Sequence, residues 1–304
     1  MDNGQKSVTR MVAQAFGDTY DEDTLARVAW ATALEPGDQR AGRLIAKYGA
    51  VEALDRLVAG QSAAHMEWGN RILDRLSAAD VVSALTVSLD RGFVVVTPAS
   101  SSWPQRLESL TSAAPVALWL RGDRSLLLEA TIVITGSRDS SEHGRRVCAE
   151  LASGLASRGH VVSSGAGYGI DTVALISALE AGGRTIALLA SGLNQPFPSG
   201  NIDLLEDIAE NGAIVTERAP GTKPRDWRFL RRNQLLGTIA AKCIVVEASA
   251  RSGAIVTAEA ALAAGRPVGV VAGPADTQAF AGNNRLLSER KGGPITSVEE
   301  VELL

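Results

Sequence analysis

Short apolar runs alternate with longer amphipathic stretches over much of this 304-residue chain, from about residue 130 onward. The runs are ATIVITG, HVVSSG, RTIALLASG, AIVTE, KCIVVEA and RPVGVVAG. Strands that alternate with helices of this length form βαβ units, whose parallel strands are covered on both faces. The pattern therefore predicts an α/β fold with a Rossmann-like, doubly wound, mostly parallel sheet. In such a sheet, ligands bind at the carboxyl ends of the strands.

The region before the sheet has a different pattern. Between residues 8 and 86, apolar residues recur every three or four positions, as in TLARVAWATAL and AGRLIAKYGAVEALDRLVAG. This spacing predicts a small helical bundle, and the run RGFVVVTP then predicts a strand. We therefore expect an all-helical domain at residues 1–88, a Rossmann-like domain at residues 89–295 and a short tail at residues 296–304.

The composition fits a protein with a large aliphatic core. Hydrophobic residues make up 45% of the chain and aromatic residues only 4%. Cys148 and Cys243 lie far apart among apolar neighbours, so we expect buried structural thiols rather than a metal or redox site. The N-terminus has no leader pattern, and no apolar stretch approaches about 18 residues. We therefore expect a cytoplasmic protein without a membrane contact.

The first long strand of the predicted parallel sheet ends in GSR, Gly136 to Arg138, ahead of a helix. Free amides at a helix start, a glycine that admits close approach and an arginine that binds bidentately together make an anion site. The alternative is that Gly136 only forms a tight turn and that Arg138 is a solvated charge. The triplet by itself does not decide between the two.

The next strand ends in SSGAGYGID, with glycines at positions 165, 167 and 169. The dinucleotide fingerprint needs G-x-G-x-x-G after the first strand, and the pattern G-x-x-x-x-G-K-[ST] is also absent. Neither a nicotinamide loop nor an ATP loop is therefore predicted. The glycines serve either a phosphate or a tight turn. Asp171 either caps the next helix or contacts a ligand.

The most basic stretch of the chain is ERAPGTKPRDWRFLRRNQLLG. Between Arg218 and Arg232 it holds six basic residues and one acid, Asp226, although the net charge of the whole chain is −4. Trp227 and Phe229 are interleaved with the basic residues, a pattern typical of proteins that bind single-stranded nucleic acid. The alternative is an amphipathic segment whose rings pack inward while its arginines stay solvated.

Candidate catalytic residues form no recognisable arrangement. His65, His143 and His160 have no metal-ligand spacing, and the G-x-S-x-G pattern is absent. Glu247 ends a buried apolar run, and we expect it to orient backbone or arginine groups rather than to act as an acid. The sequence favours a binding protein without a catalytic residue, a cofactor or a metal.

Motifs between residues 91 and 290 follow one another in a recognisable order: WPQRL, GSR, SGAGYGID, GLNQPFPSGN, RRNQLLG, VVEASARSGAIVTA and GR followed by VAG. In this order they resemble the DNA-processing protein A family (DprA, also called Smf). The N-terminal segment LIAKYGAVEAL is similar to the small SAM-like or helix-hairpin-helix-like domain of that family.

The resemblance implies a bacterial, non-enzymatic protein that binds single-stranded DNA and helps to load the RecA recombinase, typically during natural transformation (competence). It also implies a homodimer formed through the Rossmann-like domain. The residues that it implies at the DNA pocket are Arg138, Gly165, Gly167, Gly169, Arg232, Asn233, Ser252 and Gly253, with Lys223 and Lys242 as further candidates. From the strand-end motifs and the basic stretch we add Gly136, Ser137, Ser164, Asp171 and Arg231 as expected DNA- or phosphate-binding residues.

The sequence departs from the family pattern at several positions. GID is followed by Ala174 and Leu175 where the family has an Ala-His pair. The RN segment lies between Leu230 and Gln234, where the family has a proline before it and an arginine after it. GNNRLL runs into SERKGG rather than into a Gly-Ala pair. We therefore expect a divergent member, without the C-terminal winged-helix domain that many members carry.

Two other functions stay open on the sequence. Related Rossmann-like folds serve nucleotide-binding enzymes or sensors of the nucleoside monophosphate hydrolase type, and the loop before one of their helices loosely resembles SGAIVTAE. Glu247 or Glu259 would then act on a glycosidic bond. The chain could also be an assembly factor that keeps protein contacts but no tight binding of DNA.

Overall fold

The computed structural model describes residues 12–60 and 66–304. The remaining parts of the predicted helical region, residues 1–11 and 61–65, lie outside the described residues, and so does His65. The first described part is helical as predicted, with helices α1 (Glu22–Ala33), α2 (Gln39–Tyr48), α3 (Ala50–Val58), α4 (Met66–Leu73) and α5 (Ala78–Asp90).

Helix starts in this region follow from the short polar residues that precede them. The Asp38 carboxylate accepts hydrogen bonds from the amides of Arg40 and Ala41 at the start of α2. These amides have no partner inside the helix, so the side chain supplies one. Gly49 ends the helix with a φ of 80°, a conformation that costs glycine little.

The sheet has nine strands in the described part of the chain: β1 (Val94–Val96), β2 (Leu118–Gly122), β3 (Ile132–Thr135), β4 (Val162–Ser164), β5 (Thr185–Leu189), β6 (Ala213–Thr216), β7 (Lys242–Val245), β8 (Val268–Val271) and β9 (Gly293–Ile295). The helices that alternate with them are α6 (Glu142–Ser157), α7 (Ile170–Glu180), α8 (Ile202–Asn211), α9 (Asp226–Ile239), α10 (Gly253–Ala263), α11 (Ala281–Ser288) and α12 (Val298–Leu303).

The strand order is β1-β2-β6-β5-β4-β3-β7-β8-β9. The strands from β6 across to β9 pair in parallel, whereas β1 and β2 are antiparallel additions beside β6. The chain runs outward from β3 in one direction through β4, β5 and β6, and it later returns to the other side of β3 to form β7. The predicted doubly wound sheet is therefore confirmed, and its switch point lies between β3 and β7.

The structure adds two strands that the sequence pattern did not predict. Strand β2 lies in ALWLRG and pairs with β6 in antiparallel register, with Leu120 opposite Val215. Strand β9 is only three residues long and contains Pro294. The last segment, predicted as a tail from residue 296, continues from β9 into α12, and Val301 on this helix is fully buried.

Helices cover both faces of the sheet. Helices α9, α10 and α11 pack against one face, where Leu236, Ala258 and Leu286 are buried with strand residues. Helices α6, α7 and α12 cover the other face, where Leu151 and Ala174 lie in a second buried cluster. This double cover explains why most positions of the parallel strands are apolar.

The N-terminal helices share a buried cluster with the sheet. Trp30 and Leu85 belong to the same cluster as Trp119 of β2 and Leu189 of β5. The Trp119 indole Nε1 also donates to Ser88 Oγ at 3.2 Å. The domain boundary expected near residue 88 stays a prediction, because these contacts join the two regions without a break in the apolar core.

The predicted burial of the two cysteines is confirmed. Both thiols are fully buried, and burial raises the pKa of Cys148 and raises that of Cys243 to about 12. Among the helices of residues 12–60 and 66–304, none is both long and apolar enough to cross a bilayer. The same described residues contain no group of three or more His, Cys, Asp or Glu side chains that could hold a metal ion.

Candidate phosphate-binding site

Two loops meet where the strand order reverses. The GSR loop follows β3, and the loop that begins at Glu247 follows β7. The Ser137 amide donates to the Glu247 carbonyl oxygen at 2.6 Å, which ties the loops together. Open α/β sheets bind ligands in the crevice at this point. We call these loops, together with the glycine loop after β4 and the facing part of α9, the switch-point site.

Glu247 fixes the start of helix α6. Its side chain is fully buried, and its carboxylate accepts hydrogen bonds from the Ser141 amide at 3.0 and 3.1 Å and from Ser141 Oγ at 2.5 Å. Ser141 Oγ in turn accepts from the Gly144 amide at 3.0 Å. The glutamate orients backbone groups, as the sequence analysis expects. In this arrangement neither carboxylate oxygen is presented to a ligand.

Two glycines allow the glycine loop to lie against the GSR loop. Gly169 has a φ of 75°, and a Cβ there would overlap the carbonyl of Ser137. Gly136 packs so closely that a Cβ would lie 2.7 Å from the Glu247 carbonyl oxygen. A side chain at either position would push the two loops apart, so both glycines serve a close approach of backbone segments.

Asp171 fixes the glycine loop through side-chain hydrogen bonds. Its carboxylate accepts from Thr135 Oγ1 at 3.0 Å and from the Gly167 amide at 3.2 Å. The side chain is buried, and Ser164 Oγ nearby is also engaged, because it donates to the Ile134 carbonyl at 2.6 Å. Both residues therefore shape the loop rather than face solvent.

Arg232 enters the site from helix α9. Its guanidinium donates to the carbonyls of Gly165 and, at 2.8 Å, of Leu188, while its Nε donates to Asn233 Oδ1 at 2.9 Å. A Cβ on Gly165 would overlap the guanidinium, so this glycine makes room for the arginine. Asn233 also donates from Nδ2 to the Gly253 carbonyl at 3.0 Å, which connects α9 to the start of α10.

The charge of Arg232 is not paired with a carboxylate. The residue is 6% exposed, and in the described part of the chain no Asp or Glu oxygen lies within ion-pair distance of its guanidinium. Burial lowers the pKa of Arg232, whereas the charge of Asp171 acts in the opposite direction. A buried cation with carbonyl partners alone keeps the capacity to bind an anion.

Exposed aromatic rings lie beside the two arginines. The Arg138 guanidinium lies 5.0 Å from the centre of the Phe229 ring, and the Phe229 ring lies 5.5 Å from that of Phe197. Phe197 and Tyr168 are both large exposed side chains. No role is predicted for these two rings from the sequence, although aromatic residues inside glycine- and proline-rich loops are a signal for exposed rings.

The switch-point site brings most of the predicted site residues together, each with a defined position. Ser252 caps α10 by accepting from the Ala254 amide at 3.2 Å, and Ser137 Oγ donates to the Asp139 carbonyl at 2.9 Å. The predicted residues assembled at the site are Gly136, Ser137, Arg138, Ser164, Gly165, Gly167, Gly169, Asp171, Arg232, Asn233, Ser252 and Gly253.

The structure does not bring Arg231 to the site. Its side chain forms a buried ion pair with Glu217, with Nε–Oε1 at 3.0 Å and Nη2–Oε2 at 3.1 Å. Nη2 also donates to the Ala113 carbonyl at 2.7 Å. The guanidinium therefore binds groups of the protein rather than facing the switch-point site. This corrects the expectation that Arg231 lies among the phosphate-binding residues.

Lys223 and Lys242 also lie elsewhere. Lys242 begins β7, at the opposite end of the strand from the site, and its Nζ donates to the carbonyls of Val301 at 2.9 Å and Glu302 at 2.6 Å. Lys223 lines a cleft beside the N-terminal helices. The position of Lys242 corrects the expectation that it contacts phosphate at the switch-point site, whereas a phosphate contact of Lys223 stays a prediction for another place in the structure.

The comparison with protein families finds one matching model, described as DNA recombination-mediator protein A, over residues 94–302. A putative DNA processing protein DprA from Mycobacterium tuberculosis is 38% identical over 278 residues, which cover 86% of this chain and 69% of the relative. The DNA processing protein DprA from Bacillus subtilis is 30% identical over 212 residues, which cover 69% of this chain and 67% of that protein.

Solved structures share the fold. DNA processing protein A from Streptococcus pneumoniae superposes with a TM-score of 0.72 and 24% identity, covering 99% of this chain and 94% of that one. A second structure concerns the single-stranded DNA binding mode of DNA processing protein A from Helicobacter pylori. It superposes with a TM-score of 0.62 and 26% identity, covering 68% of this chain and 93% of that one.

Proposed function

Because the chain belongs to the DNA recombination-mediator protein A family, we propose that it binds single-stranded DNA at the switch-point site and passes it to a RecA-type recombinase. In this proposal a backbone phosphate contacts Arg232, and Arg138 contacts the same or the next phosphate. The proposal contains no catalytic step and no cofactor.

The unpaired buried charge of Arg232 is the observation that carries this proposal. Moving a guanidinium out of water is unfavourable unless hydrogen bonds and an opposite charge compensate it. The protein supplies carbonyl oxygens to this guanidinium and no carboxylate in the described residues. No described residue accepts a hydrogen bond from Nη2. A phosphate oxygen would supply the missing negative charge through charge-assisted hydrogen bonds.

The aromatic rings favour a single strand over a duplex. Bases of a single strand are free to stack on exposed rings such as Phe197 and Tyr168, each stacked base contributing about 1–3 kcal/mol. In a duplex the bases are already stacked and paired. The likeness to the Helicobacter pylori protein, whose structure concerns binding of single-stranded DNA, supports the same ligand.

The net charge of −4 fits a local site rather than a uniformly basic surface. A negative protein repels DNA over most of its surface, so binding depends on the few cations at the switch-point site. The family description as a recombination mediator supports a recombinase as the partner that receives the DNA. A homodimer formed through the Rossmann-like region is part of the same proposal, and the cytoplasmic location stays a prediction.

The test is a fluorescence-anisotropy titration of a labelled oligo-dT of about 20 nucleotides and of its duplex, in about 50 and about 200 mM salt. We expect preference for the single strand and an affinity that falls with salt at a slope near −0.7 per phosphate contact. Arg138→Ala should weaken binding about tenfold, since a charged hydrogen bond contributes roughly 1.5–3 kcal/mol.

Arg158→Ala is the matched control for this titration. Arg158 is also an exposed arginine, but it lies before β4 and binds Glu299 and Glu302. Its removal should leave the affinity for oligo-dT within about twofold of the original protein. Equal affinity for single strand and duplex, or an equal effect of the two substitutions, would contradict the proposed site.

A further inference from the structure

A second group of arginines surrounds a cleft between the N-terminal helices and the start of α9. The cleft has a volume of about 310 Å³, at the lower end of the range for small-molecule sites. Its charged lining residues are Glu35, Arg75, Arg218, Lys223, Arg225 and Arg228. We call this feature the arginine cleft. It contains five basic side chains and one acidic one, within a chain whose net charge is negative.

A single carboxylate forms ion pairs with three guanidinium groups in the arginine cleft. Glu35 lies 3.5 Å from Arg218, 3.4 Å from Arg228 and 3.7 Å from Arg75. Its side chain is 39% exposed, so water also competes for its oxygens. One partly hydrated negative charge does not balance the positive charges around it.

Two of these arginines have buried nitrogens without a hydrogen-bond partner. The Nε atoms of Arg218 and Arg228 are both buried, and neither donates to any acceptor in the described structure. The side chain of Arg218 is only 7% exposed. Burial, followed by the charge of Arg228, lowers the pKa of Arg218 to about 10. Unpaired buried polar groups are unfavourable, so these two nitrogens add to the cost of burying the two charges, as the Nε atoms of Arg266 and Arg285 do elsewhere in the described structure.

We propose that the arginine cleft binds a phosphate group. Guanidinium forks match the oxygens of phosphate in spacing and donate two hydrogen bonds at once, which suits a group surrounded by several arginines. A phosphate monoester or a pyrophosphate carries enough negative charge to compensate the excess that Glu35 leaves. Its oxygens would accept hydrogen bonds from the guanidinium groups that line the cleft.

The phosphate has two sources, a free phosphate compound or the backbone of bound DNA. Arg228 lies one helical turn before Arg232 on α9, so a strand held at the switch-point site could extend toward the cleft. If the source is DNA, the inference rests on the proposed function. If the source is a free compound, it does not.

The first arm of the test measures pyrophosphate binding by calorimetry at constant ionic strength and without DNA. The double variant Arg75→Gln/Lys223→Gln removes two exposed cations of the cleft, so folding is not at risk. We expect it to weaken pyrophosphate binding at least fivefold. Arg138→Ala, which alters only the switch-point site, should weaken pyrophosphate binding less than the cleft variant does, because the cleft keeps all its cations.

The matched control is Arg124→Gln/Arg184→Gln, which removes the same charge at the opposite edge of the sheet, where both side chains are exposed. The second arm measures oligo-dT affinity for the same variants. Loss of pyrophosphate binding in the cleft variant alone supports a free phosphate compound. No binding of pyrophosphate, combined with oligo-dT affinity at least fivefold weaker in the cleft variant than in the control, supports a DNA phosphate.

The proposal is overturned if pyrophosphate binds equally to the cleft variant and the control, or if Arg138→Ala abolishes that binding. It is also overturned if pyrophosphate does not bind and the cleft variant leaves oligo-dT affinity unchanged. A protein that binds no oligo-dT at all would contradict the proposed function, and the pyrophosphate arm would then decide the cleft by itself.

Discussion

Arg232 at the carboxyl edge of the parallel sheet and Arg158 at its amino edge have different kinds of partner. At the carboxyl edge, the buried guanidinium of Arg232 has only uncharged oxygen partners. At the amino edge, Arg158 binds both Glu299 and Glu302 of α12, and His160 Nε2 lies 2.9 Å from Glu302. Arg158 is therefore neutralised at the amino edge, whereas Arg232 at the carboxyl edge has no counter-charge, unlike its neighbour Arg231, which binds Glu217.

This difference indicates where a polyanion can approach. Exposed ion pairs contribute little to stability, but they cancel the local field. Lys242 at the amino edge is held by the protein itself, because its ammonium donates to the last carbonyls of α12. The guanidinium of Arg232, which has no carboxylate partner in the described structure, lies at the carboxyl edge 6.0 Å from the centre of the Phe229 ring, which in turn contacts the exposed ring of Phe197.

The substitution Gly165→Ala should cause the largest loss of DNA affinity at the carboxyl edge of the sheet. Its Cβ would overlap the guanidinium of Arg232 and displace it from the Gly165 and Leu188 carbonyls. Loss of about 3 kcal/mol of charged hydrogen bonds to phosphate corresponds to a loss of oligo-dT affinity on the order of 100-fold. Anisotropy titration measures it, and circular dichroism establishes that the variant is folded.

Ser163→Ala provides the control for this substitution. Ser163 lies two positions earlier in the same segment, and its buried hydroxyl has no hydrogen-bond partner in the described structure. Its removal should not change oligo-dT affinity. A folded Gly165→Ala variant that binds within threefold of the original protein would show that the position of Arg232 does not matter for DNA.

Phe229→Leu should have the next largest effect. Leucine keeps the apolar bulk of this half-buried position but removes the ring that faces Arg138 and Phe197. If the ring contributes about 1 kcal/mol to base stacking and to holding Arg138, oligo-dT affinity falls roughly fivefold. Leu128→Ala, an exposed change near the amino edge, should leave the affinity unchanged. Equal affinities of the two variants for oligo-dT would show that the Phe229 ring does not contribute to DNA binding.

Lys242→Met tests the amino edge directly. Loss of the ammonium from the carboxyl end of α12 should lower the free energy of unfolding by about 0.5 kcal/mol, as measured by urea titration. The salt dependence of oligo-dT binding should stay the same. A slope that becomes shallower by about 0.7 would instead place Lys242 among the phosphate contacts.

The smallest expected effect is a change in acid stability at the amino edge. The hydrogen bond from His160, with the nearby Arg158, holds the pKa of Glu302 below its ordinary value of 4.5. The stabilisation is present above that ordinary value and is lost as the pH falls through the lowered one. Tm should therefore fall slightly less for Glu302→Gln than for the original protein between roughly pH 5 and pH 3. Identical profiles would show that this carboxylate contributes nothing to folding.

The strands that the sequence predicted correctly are the ones buried on both faces. KCIVVEA and RTIALLASG contain continuous apolar runs because both sides of β7 and of β5 are buried in apolar clusters. Strand β2 was missed because it lies in the antiparallel part of the sheet, after a turn-rich segment. Strand β9 is three residues long and contains a proline, so no local pattern identifies it.

The glycine motifs located the site, but their individual roles required the fold. Gly165 makes room for an arginine that lies 67 positions later in the chain. Arg231 and Arg232 are adjacent and chemically identical, yet successive helical residues point about 100° apart. One guanidinium therefore meets Glu217 and the other meets the Gly165 carbonyl. The sequence alone does not distinguish the two arginines. They have different partners because they lie on different faces of α9.

The apolar cluster that joins the N-terminal helices to the sheet also determines how the chain unfolds. Trp119 and Leu189 are buried with Trp30 and Leu85, so a fragment that begins at residue 89 would present a tryptophan and several aliphatic side chains to water. Such a surface promotes aggregation. The helices and the sheet are thus expected to unfold in a single cooperative transition. Cutting the chain between them should yield two aggregation-prone fragments rather than two independently folded domains.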